Sequence, residues 1–478
     1  MAQARKTKII CTIGPASESP EVMREMILSG MNVARMNFSH GTHPEHLKKA
    51  QTVKALREEL KKPVALLLDT KGPEIRVKTF AQGSVELKEG ALFTLTTRER
   101  EGGPDGVAVT FAGLPTVATP GTRILLDDGL IELRSERVTD TDVECRVING
   151  GPLSNRKSIN LPGVRTHMPY MDERDEADIR FAHENDYDFI ALSFVRCAKD
   201  VRLVKDFIAR LGERRCELIA KIENAEGVQN VDEILAEADG IMVARGDLGV
   251  EIPFEDLPAL QKAIIKKCYS AGKLVVTATQ MLDSMARNPR PTRAEVTDVA
   301  NAIYDGTGAI MLSGESAAGK YPLESVRTMV KIAEKTESAI HYIKRFSAYT
   351  ADLENSITDA ISHAACTTAH DLQAKLIVAA TRSGNTARTI SRFRPATRIV
   401  AVTPNPKAYY QLALWWGVTP VMGEFQEHLH DVYKSAAKKI IDEGLAEEGD
   451  RVVFTGSSSS SERITNTIQV HTAGEMAR

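Results

Sequence analysis

The sequence predicts an α/β protein: a (β/α)₈ barrel interrupted by an inserted all-β lid and followed by a C-terminal αβ domain. Three observations predict it. Eight short apolar, β-branched runs alternate with longer amphipathic helical patterns, as parallel βα units do. Over residues 73 to 168 that alternation gives way to period-two patterns broken by turn signals. From about residue 342 a fresh αβ alternation begins.

The eight runs are "KIICTIG" (8 to 14), "NVARMNF" (32 to 38), "VALLLDT" (64 to 70), "FIALSFV" (189 to 195), "LIAKIE" (218 to 223), "GIMVAR" (240 to 245), "LVVTAT" (274 to 279) and "AIMLS" (309 to 313). Between them lie helical patterns such as "EVMREMILSG" and "EDLPALQKAIIKKCYSAG", the second closed by a glycine. Residues 73 to 168 carry turn signals in "LDDGLIEL" and "INGGP" and no convincing helix. An all-β module placed at the C-terminal end of a barrel strand would sit over the barrel mouth, as a lid does. The last segment holds the strand candidates "LIVAAT", "RIVAVTP", "TPVM" and "RVVFTGSS", read as a mostly parallel sheet. The predicted division is a barrel domain over 1 to 72 and 169 to 341, a lid over 73 to 168 and an αβ regulatory domain over 342 to 478. A chain of 478 residues is long enough for about three domains.

Hydrophobic content of 42% with 26% charged residues describes an ordinary globular protein. A net charge of −3 gives no general reason to expect nucleic acid or an anionic membrane as partner. Cys11, Cys145, Cys197, Cys216, Cys268 and Cys366 form no CxxC pair, which disfavours both a disulfide framework and a structural zinc site. The N-terminus has no signal-like apolar region, and no run approaches the length that spans a bilayer. A soluble, cytoplasmic protein is expected.

In a barrel of this kind the C-terminal strand ends build the active site. Strand two presents Arg35, Asn37 and Ser39 on one face, with Ala34, Met36 and Phe38 on the other. Strand three ends in Asp69 and Thr70. Strand five places Lys221 and Glu223 on one face, where an apolar strand would continue with Ile or Val. Strand six runs into "ARGDLGVE" with Arg245 and Asp247, strand seven ends in Thr277 and Thr279, and strand eight in Ser313. Any one such pair is equally well a solvated strand end. The set is different, because each ion withdrawn from water costs several kcal/mol unless compensated. Glu223 and Asp247 are hard oxygen ligands suited to Mg²⁺. Arg35 and Lys221 suit phosphate, Arg as a fork and Lys as a point charge. Cations, a divalent metal and a lid point to phosphoryl transfer.

"GESAAGKY" (314 to 321) fits half of a phosphate-binding P-loop, but Tyr321 stands where Ser or Thr would hold the metal and Pro322 follows, so a capping or turn role is expected. "RGD" at 245 to 247 is read as chance recurrence. In the last segment Thr381, Arg382, Ser383, Gly384, Asn385 and Thr386 of "TRSGNTAR" form a strand-to-helix turn that offers amides and hydroxyls to an anion, with "FTGSSSSSERITNT" (454 to 467) as a second loop. Small polar residues also serve any surface loop.

"CTIGPAS", "NVARMNFSHG", "LDTKGPEIR", "KSINLPG", "AKIENAEG", "ARGDLGVEI", "TATQML", "RNPRPTRAEVTDVANA" and "MLSGESAAGKYP" occur in one order and spacing, and over nearly its whole length the chain resembles the pyruvate kinase family. The resemblance implies transfer of the phosphoryl group of phosphoenolpyruvate to ADP, then protonation of the enolate to pyruvate. It implies that Lys221 and Arg35 stabilise the phosphoryl group, and Lys221 also the enolate. Glu223 and Asp247 would hold Mg²⁺ or Mn²⁺, and Asn37, Ser39, Asp69 and Thr70 would hold K⁺. The amides of Gly246 and Asp247 with the Thr279 hydroxyl would take the substrate carboxylate, and Thr279 and Ser313 would serve the proton route to the enolate. Asn37, His40, Arg76 and Lys157 would contact ADP or ATP, and Glu74 matches the K⁺-dependent members. A phosphorylated allosteric effector at 381 to 386 and a homotetramer are also implied, with no nucleic-acid or membrane partner. Residue 478 falls before the phosphotransfer-like domain that some bacterial members append.

Two other classes compete. A barrel-strand lysine such as Lys221 also forms Schiff bases in aldolases, which borohydride trapping and chelator-resistant activity would reveal. A metabolite sensor that has lost chemistry is the other, and the intact set of Lys221, Glu223, Asp247 and Arg35 argues against it.

Overall fold

The computed structural model describes residues 5–212, 216–348, 356–458 and 464–478. Eight parallel strands close the barrel: Lys8–Thr12, Val33–Asn37, Ala65–Asp69, Phe189–Leu192, Glu217–Ile222, Gly240–Ala244, Leu274–Ala278 and Ala309–Leu312. Each falls within, or one residue outside, a predicted run. The two-residue side-chain period sorts every strand into an inner and an outer face. Ile10, Val33, Leu67, Ala191, Ile219 and Met242 fill the barrel interior, while Cys11, Ala34, Met36, Leu68, Ala220 and Ile222 pack outward against the helices. All are essentially excluded from water, and burying each such side chain stabilises the fold by about 1.5–3 kcal/mol for the larger ones.

The surrounding helices start and stop on local signals. Pro20–Ser29 begins behind Ser19, whose hydroxyl accepts from Val22 N at 3.3 Å, and ends at Gly30, which adopts the left-handed φ of 118° that side chains avoid. Leu257–Ser270 is likewise followed by left-handed Gly272, as expected. Capping boxes start the helices His43–Glu59 (Thr42 with Glu45) and Arg293–Asp305 (Thr292 with Glu295).

Between the third and fourth barrel strands the chain forms a seven-stranded sheet and a two-stranded ribbon around their own core of Phe93, Leu95, Val107, Leu126, Leu133 and Val143. One four-residue helix, Leu114–Val117, interrupts this β module and departs from the helix-free expectation. The predicted "LDDGLIEL" turn is present, with Asp127, Asp128 and Gly129 all at positive φ.

The C-terminal segment forms a five-stranded sheet. Leu376–Ala380, Arg398–Thr403, Val418–Met422 and Arg451–Gly456 run parallel, and Thr467–Thr472 adds an antiparallel edge that the sequence reading did not include. This sheet packs under the N-terminal end of the barrel. Lys8 Nζ donates to Val418 O at 2.6 Å, Lys407 pairs with Asp188 at 3.2 Å, and Arg388 pairs with Glu217.

Candidate active site

The inner faces of five barrel strands meet in one polar layer directly above the apolar filling. Strand two contributes Arg35, strand three Asp69 and strand five Lys221, each in step with an apolar interior residue two positions earlier. Arg35 Nε donates to Asp69 Oδ2 at 2.7 Å and its NH1 to Thr12 Oγ1 at 2.7 Å. Lys221 Nζ donates to Asp69 Oδ1 at 3.0 Å and to Ser193 Oγ at 2.7 Å, and lies 3.0 Å from Glu223 Oε1. Glu223 Oε2 accepts from Phe194 N at 2.6 Å.

These groups are buried, with Asp69 and Glu223 each only 1% exposed. Burial alone would raise Asp69, but Arg35 and Lys221 outweigh it and hold its carboxyl below the ordinary range. Burial would depress the Lys221 ammonium, yet Asp69 and Glu223 outweigh that and keep it firmly protonated. Glu223 is pushed up by burial, against the pull of Lys221 and with a further push from Asp247. Asp247 is raised by burial too and is hydrogen-bonded to Glu223. Two carboxylates in such contact must share a proton or a cation. The donor set therefore fits a divalent metal: two hard oxygens, Glu223 just past the end of strand five and Asp247 in the short helix Arg245–Glu251 that follows strand six. Among the described residues no three His, Cys, Asp or Glu side chains converge as a complete ligand cage. Mg²⁺ needs none, since it keeps waters and substrate oxygens.

The layer opens into a cavity of about 460 Å³. Of the residues predicted from sequence, Arg35, Asn37, Ser39, His40, Glu74, Arg76, Lys221, Glu223, Asp247 and Thr279 line it. Residues of the inserted module, including Ile75, Asp128 and Asn160, line its opposite wall, so that module covers the barrel mouth. Arg76 is paired with Glu74, with NH2 to Oε1 at 2.9 Å, and the module is tied to the barrel by Asn160 Nδ2 to Glu251 Oε1 at 3.1 Å. Asp69 and Thr70 lie just beneath. Asn37 and Asp69 are register partners, and Asn37 Oδ1 accepts from Ser39 N at 3.1 Å. Gly246 N donates to Thr279 Oγ1 at 2.8 Å, while Thr279 itself is held at a φ of 65°.

Other predicted residues are placed differently. Lys157 is not among the lining residues, and its ammonium pairs with Asp127 at 2.7 Å. Arg245 turns away from the mouth, buried against Asp298 at 2.7 Å and donating to Thr279 O at 2.8 Å. Thr277 points outward, with its hydroxyl on Thr307 at 3.0 Å. Ser313 stands at the end of strand eight with its Oγ buried and no hydrogen-bond partner among the described residues, while its N–H donates to Glu315 at 2.8 Å. That same Glu315, 2% exposed, accepts from Leu282 N at 3.0 Å, so "GESAAGKY" is a structural turn as expected.

Sequence reading missed Thr12 and Ser193. Both are small hydroxyl residues at barrel strand ends, and the inward parity of Ile10 and Ala191 two residues earlier is the signal that finds them.

In the C-terminal sheet, the turn 381 to 386 opens on a second cavity of about 750 Å³, lined by Thr381, Arg382, Ser383, Asn385 and Thr386 and by Ser457, Ser458 and Thr465 of the neighbouring loop. Gly384, at a φ of 89°, donates its N–H to Thr381 Oγ1 at 3.0 Å instead of lining the space. Residues 459–463 of the second loop lie outside the described residues.

Family comparisons agree with this fold. Residues 4–326 match the family model "Pyruvate kinase, barrel domain" and residues 359–471 match "Pyruvate kinase, alpha/beta domain". The chain is 47% identical over 476 residues to a pyruvate kinase of Staphylococcus epidermidis, covering 98% of this chain and 81% of that one. It is 47% identical over 474 residues to one of Staphylococcus aureus, with the same coverage. The crystal structure of a pyruvate kinase from Cryptosporidium parvum superposes with a TM-score of 0.92 at 39% identity, covering 98% of this chain and 96% of that one. With both family models matched in order along nearly the whole chain, and relatives 47% identical over 98% of it, the chain belongs to the pyruvate kinase family.

Proposed function

We propose that this kinase transfers the phosphoryl group of phosphoenolpyruvate to ADP, releasing pyruvate and ATP. The observation that supports this most is the arrangement of two cations, Arg35 and Lys221, beside the carboxylate pair Glu223 and Asp247 on one 460 Å³ cavity. A β-phosphate oxygen of ADP attacks phosphorus, the bond from phosphorus to the enol oxygen breaks, and the enolate takes a proton at its methylene carbon. Arg35 and Lys221 face the charge that develops on the phosphoryl oxygens, and Lys221 also faces the enolate oxygen, already oriented by Asp69 and Ser193. Glu223 and Asp247 would hold Mg²⁺ or Mn²⁺, which when bound would supply Lewis-acid charge to the phosphoryl group. Gly246, Asp247 and Thr279 receive the substrate carboxylate, and Thr279 with the Ser313 hydroxyl, unpartnered among the described residues, serves a water-linked proton route.

Asn37, Ser39, Asp69 and Thr70 are assigned to K⁺, with Glu74 setting the requirement for it. Asn37, His40 and Arg76 are assigned to the nucleotide, and Lys157 joins them only after leaving Asp127. The cavity at 381 to 386 is assigned to a phosphorylated effector, within a cytoplasmic homotetramer whose domains divide at residues 72, 168 and 341. The Schiff-base alternative is disfavoured because Lys221 is held protonated by its carboxylate neighbours, the reverse of a nucleophilic amine. No helix is long and apolar enough to cross a membrane among the described residues.

The test is pyruvate release from phosphoenolpyruvate and ADP with Mg²⁺, in K⁺ and in Na⁺, with a chelator control. Chelator-sensitive release, faster in K⁺, is expected. No release in either salt from folded protein, with sugar phosphates and nucleotides supplied as activators, contradicts the proposal.

A further inference from the structure

The fourth barrel strand, Phe189–Leu192, runs straight into Ser193–Phe194, whose backbone and side chains are tied to their surroundings at several points. Ser193 N donates to Thr70 Oγ1 at 3.1 Å, Ser193 O accepts from Tyr170 OH at 3.1 Å, and Ser193 Oγ lies 2.6 Å from Thr70 O and 3.1 Å from Asp69 Oδ1. The same Oγ accepts from Lys221 Nζ at 2.7 Å. Gly72, at a φ of 67°, passes so close that a Cβ there would come within 2.8 Å of Ser193 O and 2.9 Å of its Cβ. Immediately after this clamp, Phe194 sits at a φ of 55°, a region in which an aromatic L-residue is uncommon. The turn aims its N–H at Glu223 Oε2, 2.6 Å away. Unfavourable backbone of this kind persists only where the surroundings over-determine it, and it clusters at functional sites.

We propose that Ser193–Phe194 is a positioning element for phosphoryl transfer, the Ser193 hydroxyl fixing the Lys221 ammonium and the left-handed Phe194 amide fixing the Glu223 carboxylate. One strand end thereby sets the spacing between the cation and the metal-binding oxygen. A hydroxyl is suited to the first task, because it accepts from Lys221 without adding a third negative charge to Asp69 and Glu223. An amide is suited to the second, because it orients one carboxylate oxygen while leaving the other for a cation. A purely structural strand end needs neither the inward hydroxyl nor the left-handed turn, and the fourth strand could end in alanine and extended backbone.

This inference rests on the assignment of Lys221 and Glu223 to phosphoenolpyruvate and Mg²⁺, and the experiment separates the two. Full-length wild type, Ser193→Ala and Phe194→Gly are compared in pyruvate release, in thermal unfolding and in Mn²⁺ binding without substrates, read by electron spin resonance. In Ser193→Ala, kcat is expected to fall about 10- to 100-fold with KM for phosphoenolpyruvate changed by less than about threefold and Mn²⁺ affinity kept, because the ammonium is misplaced and not removed. In Phe194→Gly, which accepts the same φ but frees the peptide, Mn²⁺ affinity is expected to fall about tenfold. Wild-type kcat in Ser193→Ala, or losses in both variants that merely track a lowered melting temperature, would overturn the positioning role. Wild type that neither releases pyruvate nor binds Mn²⁺ would instead overturn the underlying assignment, and the inference with it.

Discussion

The two ends of the same eight strands both bury charge, and they do so differently. At the N-terminal base, Lys6 Nζ donates to Ala396 O at 2.8 Å, Lys8 Nζ to Val418 O at 2.6 Å, and Glu337 accepts from the backbone N–H groups of Lys6 and Thr7 at 2.8 and 2.6 Å. Asp188 is shared by Arg57, Lys407 and the N–H of Leu66, and Glu217 is matched by Arg388. Each charge there meets a carbonyl, an amide or a counter-ion, most of them across the contact with the C-terminal sheet. At the mouth the charges face one another and an open cavity, with Glu223 and Asp247 both raised chiefly by burial. Buried charge by itself therefore does not mark chemistry. Like charges gathered around a cavity do, because their compensation must come from something bound there.

The sharpest way to break this contrast is at Lys221. Lys221→Met is expected to lower turnover by about 10³-fold or more, the scale of losing one preorganised donor to developing charge, while phosphoenolpyruvate still binds. At the base, Asp188→Ala is expected to cost about 3–5 kcal/mol of stability, seen as a lowered melting temperature, because Arg57 and Lys407 lose their buried partner. Its KM for phosphoenolpyruvate should stay within about twofold of wild type. A base variant that lost activity and kept its stability would erase the distinction between the two ends.

Two smaller effects sharpen it. Glu74→Lys brings a fixed cation to the cavity wall, so the ratio of activity in K⁺ to that in Na⁺ is expected to fall toward one. An unchanged ratio would separate Glu74 from the monovalent ion. At the base, burial pushes the Lys8 ammonium down to about 7 and Lys6 down to about 8. The unfolded chain then holds more protons than the folded one between about pH 7 and the ordinary lysine range, so this contribution makes stability rise with pH there. Each proton adds a slope of at most about 1.4 kcal/mol per pH unit. Lys8→Met should flatten the rise in melting temperature between pH 7 and 9, and an unaltered slope would show that Lys8 stays charged in the folded state.

Much of the barrel was legible because period and parity are local properties. A strand buried on both faces reads as an apolar run, and a charge that breaks the run must lie near its end. This exposed Lys221 and Glu223 directly. Ser193 and Thr12 escaped because a small hydroxyl barely interrupts such a run, and only alignment with Ala191 and Ile10 reveals its face. Thr277 failed on the same point, one residue off the inward parity of Val276 and Ala278. Arg245 was misplaced because the strand ends at Ala244, and the helix Arg245–Glu251 that follows turns its guanidinium toward Asp298. The edge strand Thr467–Thr472 is mostly half-buried, and its only apolar residues, Ile468 and Val470, make an alternation too short to stand out, so pairing with Arg451–Gly456 defines it. Which partner Lys157 takes depends on the position of the inserted module, and that is a tertiary property.

If the barrel mouth transfers the phosphoryl group, following phosphorus reveals it most directly. With phosphoenolpyruvate, ADP and Mg²⁺ present, ³¹P spectra should show the phosphoenolpyruvate signal passing into the γ-phosphate of ATP with wild-type protein. With Lys221→Met the signal should stay unconverted although the substrate remains bound. ATP formation at the wild-type rate by Lys221→Met, or phosphate released to water instead of ADP by the wild type, would contradict it.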